Sequence, residues 1–225
     1  LPSGALAASN PGFYYAASYS TVAADLRNNT QNSANQVTAY NNDLPASSPY
    51  GGTLVLYPAL AEAIGYVGNN SQALAGYVGF GASSLFSFSS GVTPGLSQYY
   101  FEGVMAHEIT EIMGRTSFSG TNGGGTWYTP MDFFRYSAAG VHQTGSGGPA
   151  YFSIDNGSTA LQLWNDYVSG ASGEDFGDWA NARQTHVSGT VYNSHDMANS
   201  EGSPGQITSV TAVDLELMNV LGWNE

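Results

Sequence analysis

One stretch of this chain constrains its folding more than any other. From Ser97 to Gly114 it reads SQYYFEGVMAHEITEIMG, and this predicts a single amphipathic helix. Phe101, Met105, Ile109 and Ile112 recur at helical spacing and are expected to face the core. Gly114 is placed to end the helix, because glycine accepts the left-handed conformation that closes a last turn. The polar content of the same stretch is unusual. HEITEIMGR holds His107, Glu108, Glu111 and Arg115 in nine positions. The whole chain has only 4 Lys plus Arg, 17 Asp plus Glu and 4 His among 225 residues, so such a window should hold about one.

Residues four apart on a helix project from one face, so His107 and Glu111 can bring an imidazole nitrogen and a carboxylate oxygen to one ion. Zinc takes both donors at about 2.0–2.2 Å. Glu108, one position further on, is angled to the side of that pair, where it could take a proton from water. This is the logic of the HExxH peptidase helix. Gly103, a turn earlier, is expected to leave room beside the metal. Simpler readings stay open on spacing alone. Glu111 and Arg115 are also four apart and could form a surface pair worth about 0.3–0.5 kcal/mol, and His107 could be a satisfied core histidine.

The rest of the composition excludes whole classes of function. No cysteine is present, so there is no disulfide framework, thiolate metal site or cysteine nucleophile. The only basic side chains besides histidine are Arg27, Arg115, Arg135 and Arg183, and the formal net charge is −13. A nucleic-acid partner needs clustered Lys and Arg, and an anionic membrane would repel this surface. No apolar run is long enough to span a bilayer. With carboxylates protonated little charge would remain, so the fold is expected to tolerate acidic surroundings. The chain begins at Leu1 and is read as a processed form. Its 29 glycines, 15 tyrosines and few charges favour a secreted protein.

Along the chain there is no internal repeat. Residues 1–20 are expected to form an extended arm, and 20–42 carry a weak helical signal through Val22, Leu26 and Val37. GGTLVLYP (Gly51–Pro58) predicts a strand, and PALAEAIG a short helix that Gly65 closes. Residues 73–90 read as strands with a glycine-rich turn. After the long helix come a glycine-rich loop, TNGGGTWYTP, and the compact run MDFFRYS. YFSIDNGST predicts a strand entering a turn at Asn156 and Gly157. GEDFGDWAN is an acidic loop, and TSVTAVDLELMNVLGW a final helix with Asp214 in its first turn and Gly222 at its end. Helix and strand mix without βαβ regularity, so the fold class is α+β, in one domain over residues 1–225.

GVMAHEITEIMGR resembles the active-site helix of a group of secreted bacterial zincin-like metalloproteases, His-Glu-Ile-Ser/Thr-Glu-x-Met-Gly-Arg. LAEAIG, GYVGFGASSLFSF, MDFFRYS, AYFSIDNGST, FGDWAN and VDLELMNVLGW resemble further segments of the same group, over roughly residues 50–225. The resemblance implies a zincin-like domain with a mixed sheet, a central HExxE helix and a C-terminal helix, and a zinc-dependent endopeptidase acting on protein or peptide substrates. Glu108 is then the general base and His107 and Glu111 are metal ligands. Ser117 stands where an extended zincin motif has its third histidine, so that ligand must come from elsewhere. Asp132 is the first choice; His142, His186 and His195 are the alternatives. A Glu at position 111 makes the site harder than an imidazole cage, so manganese or calcium would compete better. Tyr136 or Arg135 could stabilise an oxyanion, and Met131 could pack beneath the metal. Glu174, Asp175 and Asp178 could bind a structural calcium. The protein is expected to be a monomer. The alternatives are a catalytically silent, metal-stabilised binding module and a metal-dependent hydrolase or lyase of another polymer.

Overall fold

Glycine, proline and asparagine interrupt the chain often, and the elements between them are short. The structure is a computed structural model describing residues 1, 5–68, 74–82, 85–118, 127–145, 149–165, 175–180 and 192–224. In chain order these form β1 (Ala7–Asn10), β2 (Tyr15–Ala17), α1 (Tyr19–Asn28), α2 (Ala34–Asp43), β3 (Thr53–Leu56), α3 (Pro58–Ala63), β4 (Tyr77–Phe80), β5 (Phe86–Ser87) and β6 (Tyr99–Tyr100). Then come α4 (Phe101–Ile112), β7 (Trp127–Tyr128), a 3₁₀ turn (Pro130–Phe134), β8 (Arg135–Ala138), β9 (Val141–His142), β10 (Tyr151–Phe152), β11 (Gln162–Leu163) and α5 (Ala212–Val220). None of the described helices is long and apolar enough to cross a membrane.

Helix and strand are mixed, and the strands gather into small sheets. In one, β3 pairs antiparallel with β2 and parallel with β7. The order β11-β10-β8-β9 makes an antiparallel sheet; β1 pairs with β4 and β5 with β6. The core lies where α1, α2, α3 and α5 meet β3 and the 3₁₀ turn, with Val22, Leu26, Leu54, Leu60, Phe133 and Leu217 buried. Trp164 and Trp179 stack at 4.3 Å in the same cluster. The helical signal over 20–42 resolves into two helices, each with its own cap. Ser18 accepts from the Thr21 amide, and Ser33 and Gln36 form a capping box. Asn156 and Gly157 both hold positive φ, as an Asn-Gly turn requires. Gly65, Gly114 and Gly222 close α3, α4 and α5 in the left-handed region. Asp214 sits in the first turn of α5, in a capping box with Thr211.

The main departure is the face that α4 buries. Met105 and Ile109, expected inside, are 37% and 42% exposed, while Gly103, Glu108 and Glu111 are buried. Burying carboxylates is tolerable only where cations and donors meet them. Gly103 does not open space for a metal. A Cβ there would lie 2.0 Å from Thr208 Oγ1, so glycine lets the segment before α5 approach the helix.

Candidate metal centre

One helical turn of α4 sets His107 and Glu111 side by side, and a loop after β11 brings Asp178 to the same point. His107 Nε2 lies 3.2 Å from Glu111 Oε1 and 3.4 Å from Asp178 Oδ1. One donor atom from each residue falls within 4.8 Å of the others. Ligands of a tetrahedral zinc, each at about 2.0–2.1 Å, stand about 3.3 Å apart. Both spacings from His107 therefore fit a small dication.

His107 and Glu111 are held from behind, whereas Asp178 Oδ1, the oxygen that faces His107, also accepts from Arg115. His107 Nδ1 is 2.8 Å from the Met197 carbonyl oxygen. A carbonyl can only accept, so Nδ1 carries the hydrogen and Nε2 turns toward the carboxylates. Glu111 Oε2 accepts from the Ser9 hydroxyl at 2.6 Å, leaving Oε1 for the cluster. Arg115 donates to Asp178 Oδ1 at 2.9 Å and approaches Glu111 Oε1 at 3.7 Å. The surface Glu111–Arg115 pair is thus replaced by a guanidinium that is 0% exposed and also bonded to the Gly177 carbonyl. It offsets part of the charge that burial would otherwise penalise.

The electrostatics match this grouping. Burial opposes a charge on His107, but Asp178 and Glu111 outweigh it and lift its pKa to about 9. Burial also opposes ionisation of Glu111, yet His107, Arg115 and Ser9 hold its pKa near about 2. Without a metal, a proton on His107 thus does a cation's work between two carboxylates. Burial and the charge of Glu111 push Glu108 up to about 7. Burial, then Glu111 and Asp178, push Asp175 up to about 8. Glu108, Glu111, Asp175 and Asp178 line one cleft of about 450 Å³ with His107 and residues of β1.

The third carboxylate corrects the first choice made from sequence. Asp132 is buried in the 3₁₀ turn, where the Thr129 and Phe118 amides and the hydroxyls of Ser117 and Thr129 donate to it. Its oxygens close that turn and do not join His107 and Glu111; Asp178 does. Among the alternatives, His142 packs against Tyr136 and Tyr50, and His195 Nδ1 lies 2.9 Å from the Ile207 carbonyl oxygen. His186 and Glu174 lie outside the described residues. Tyr136 donates to Asp43, and Arg135 to the Phe176 and Asn165 carbonyls, so neither is committed to the cleft. Met131 is a core residue. Asp178 and Asp175 sit in the acidic loop first considered for calcium.

Compared with known protein families, curated proteins and solved structures, the chain matches none. One imidazole and two carboxylates with oriented donors, opening onto a cleft, are a donor set that zinc accepts.

Proposed function

We propose that this protein is a secreted, zinc-dependent endopeptidase of zincin-like fold, with His107, Glu111 and Asp178 holding the metal and Glu108 moving the proton. The observation that carries the reading is the convergence of His107 Nε2, Glu111 Oε1 and Asp178 Oδ1, with Glu108 beside them in the same cleft. When bound, zinc supplies Lewis acidity toward a substrate carbonyl and an attacking water. Glu108 is 7% exposed in that cleft, and its carboxylate is the group there that can take a proton from water and return it to a leaving amine. The Met197 carbonyl oxygen turns His107 Nε2 toward the two carboxylates, Ser9 donates to Glu111, and Arg115 donates to Asp178.

The test is hydrolysis of casein by purified protein, abolished by a chelator and restored by zinc. Glu108→Gln should keep its zinc and lose about 10²–10⁴-fold in turnover. Bound zinc with no hydrolysis in the wild type would favour the silent binding module, and hydrolysis undiminished in Glu108→Gln would remove Glu108 from the proton transfer.

A further inference from the structure

Ser9 stands 102 positions before Glu111, in a strand with no counterpart in the metal helix, yet its hydroxyl donates to Glu111 Oε2 at 2.6 Å. The contact is built into the fold. β1 pairs with β4 in a continuous register from Ala7 opposite Phe80 to Asn10 opposite Tyr77. Gly76, just ahead of β4, makes room for that strand. A Cβ there would lie 2.6 Å from the Asn10 carbonyl oxygen, 2.9 Å from Pro11 Cα and 3.1 Å from Ile112 Cδ1. Ile112 is the neighbour of Glu111, so the missing side chain lets β1 and α4 close on each other.

The two oxygens of Glu111 consequently face different partners. Oε2 is taken by Ser9, while Oε1 faces His107 Nε2 at 3.2 Å, with Arg115 Nη2 at 3.7 Å. Without the hydroxyl, the buried carboxylate loses a donor and is free to rotate toward the guanidinium. We infer that Ser9 is a positioning residue for Glu111, and that strand β1 is therefore part of the metal centre. This rests on the metal reading of His107, Glu111 and Asp178. Hydrogen bonds that orient a metal ligand typically change metal affinity by about 10–100-fold when removed.

The experiment is a zinc affinity measurement on the full chain, by competition with a chromophoric chelator, alongside the melting temperature of the zinc-free protein. Ser9→Ala should raise the zinc Kd about 10–100-fold while the zinc-free protein still unfolds cooperatively, at a somewhat lower melting temperature because the buried carboxylate has lost a donor. Ser9→Thr keeps the hydroxyl and should bind zinc far more tightly than its isostere Ser9→Val, a comparison that survives if Ser9→Ala folds poorly. Gly76→Ala, which touches no donor, should weaken zinc in the same direction by shifting β1. Ser9→Ala binding zinc like the wild type, or Ser9→Thr no better than Ser9→Val, overturns the inference. A wild type that binds zinc no better than its His107→Ala variant defeats the parent reading instead, so the two failures are distinguishable.

Discussion

The 3₁₀ turn at Pro130–Phe134 and the loop around Asp178 each bury one aspartate, at 0% and 4% exposure. They satisfy it by different means. Asp132 receives amides and hydroxyls from Thr129, Phe118 and Ser117, and its carboxylate finishes a capping box. Asp178 faces an imidazole and a guanidinium across a cleft, with His107 at 3.4 Å and Arg115 at 2.9 Å. A carboxylate whose lone pairs are filled by backbone and hydroxyl donors is a structural closure. One whose charge is answered in part by a titratable imidazole can trade the proton on that neighbour for a metal ion. Burial alone does not separate the two, and the partners do.

The sharpest way to break this comparison is to remove each aspartate in turn. Asp178→Asn should weaken zinc by about 100-fold in a competition titration, since it replaces an anionic ligand with a neutral amide oxygen. Asp132→Asn should leave zinc affinity within about threefold but cost about 2–4 kcal/mol in denaturant unfolding, because its NH₂ would face donors. The opposite pattern would restore Asp132 as the ligand.

A second test uses the proton that stands in for the metal. His107 is raised in the folded state, to about 9. Its contribution to zinc-free stability is therefore fully present below its unfolded value of about 6.5 and lost as pH rises through about 9. The melting temperature of the zinc-free wild type should fall relative to His107→Ala across that window. Zinc binding near pH 7.5 should release at least one proton, from His107 and from the raised carboxyls of Asp175 and Glu108 in the same cleft, measurable by calorimetry in buffers of different ionisation enthalpy. A pH-independent difference and no proton release would contradict the imidazolium bridge.

A third buried aspartate gives the smallest effect. Asp43 accepts from the Tyr136 hydroxyl and the Asn156 amide, and its other oxygen has no hydrogen bond. Burial pushes its pKa up to about 6 despite those donors. Its protonated form thus favours folding below about 4, and that advantage is lost as pH rises through about 6. Asp43→Asn should be more stable than the wild type by about 1–2 kcal/mol at pH 7.5 and equal to it at pH 4. Such a profile accords with the acid tolerance expected from composition, and a variant that destabilises equally at both pH values would argue against it.

These contrasts also mark what the sequence can disclose. The pairing of His107 with Glu111 follows from helical geometry, and β3, α3, the Asn156–Gly157 turn and the glycine stops follow from local turn chemistry. Those features need no knowledge of distant contacts. Asp178 lies 63 positions from Arg115, and Ser9 lies 102 from Glu111. Only packing brings these pairs together, so sequence spacing favoured the nearer Asp132. The exposed face of α4 was misread because apolar periodicity marks the core only when polar residues have water as their best partner. Here Glu108 and Glu111 turn inward, Glu111 toward His107, Arg115 and Ser9, leaving Met105 and Ile109 outside.

The most direct measurement is anomalous diffraction at the zinc edge from a crystal of the full chain grown with zinc. The account predicts one strong peak within about 2.0–2.2 Å of His107 Nε2 and of one oxygen each from Glu111 and Asp178. A peak at Asp132, or none while His107, Glu111 and Asp178 keep their pairing with Arg115, would contradict it.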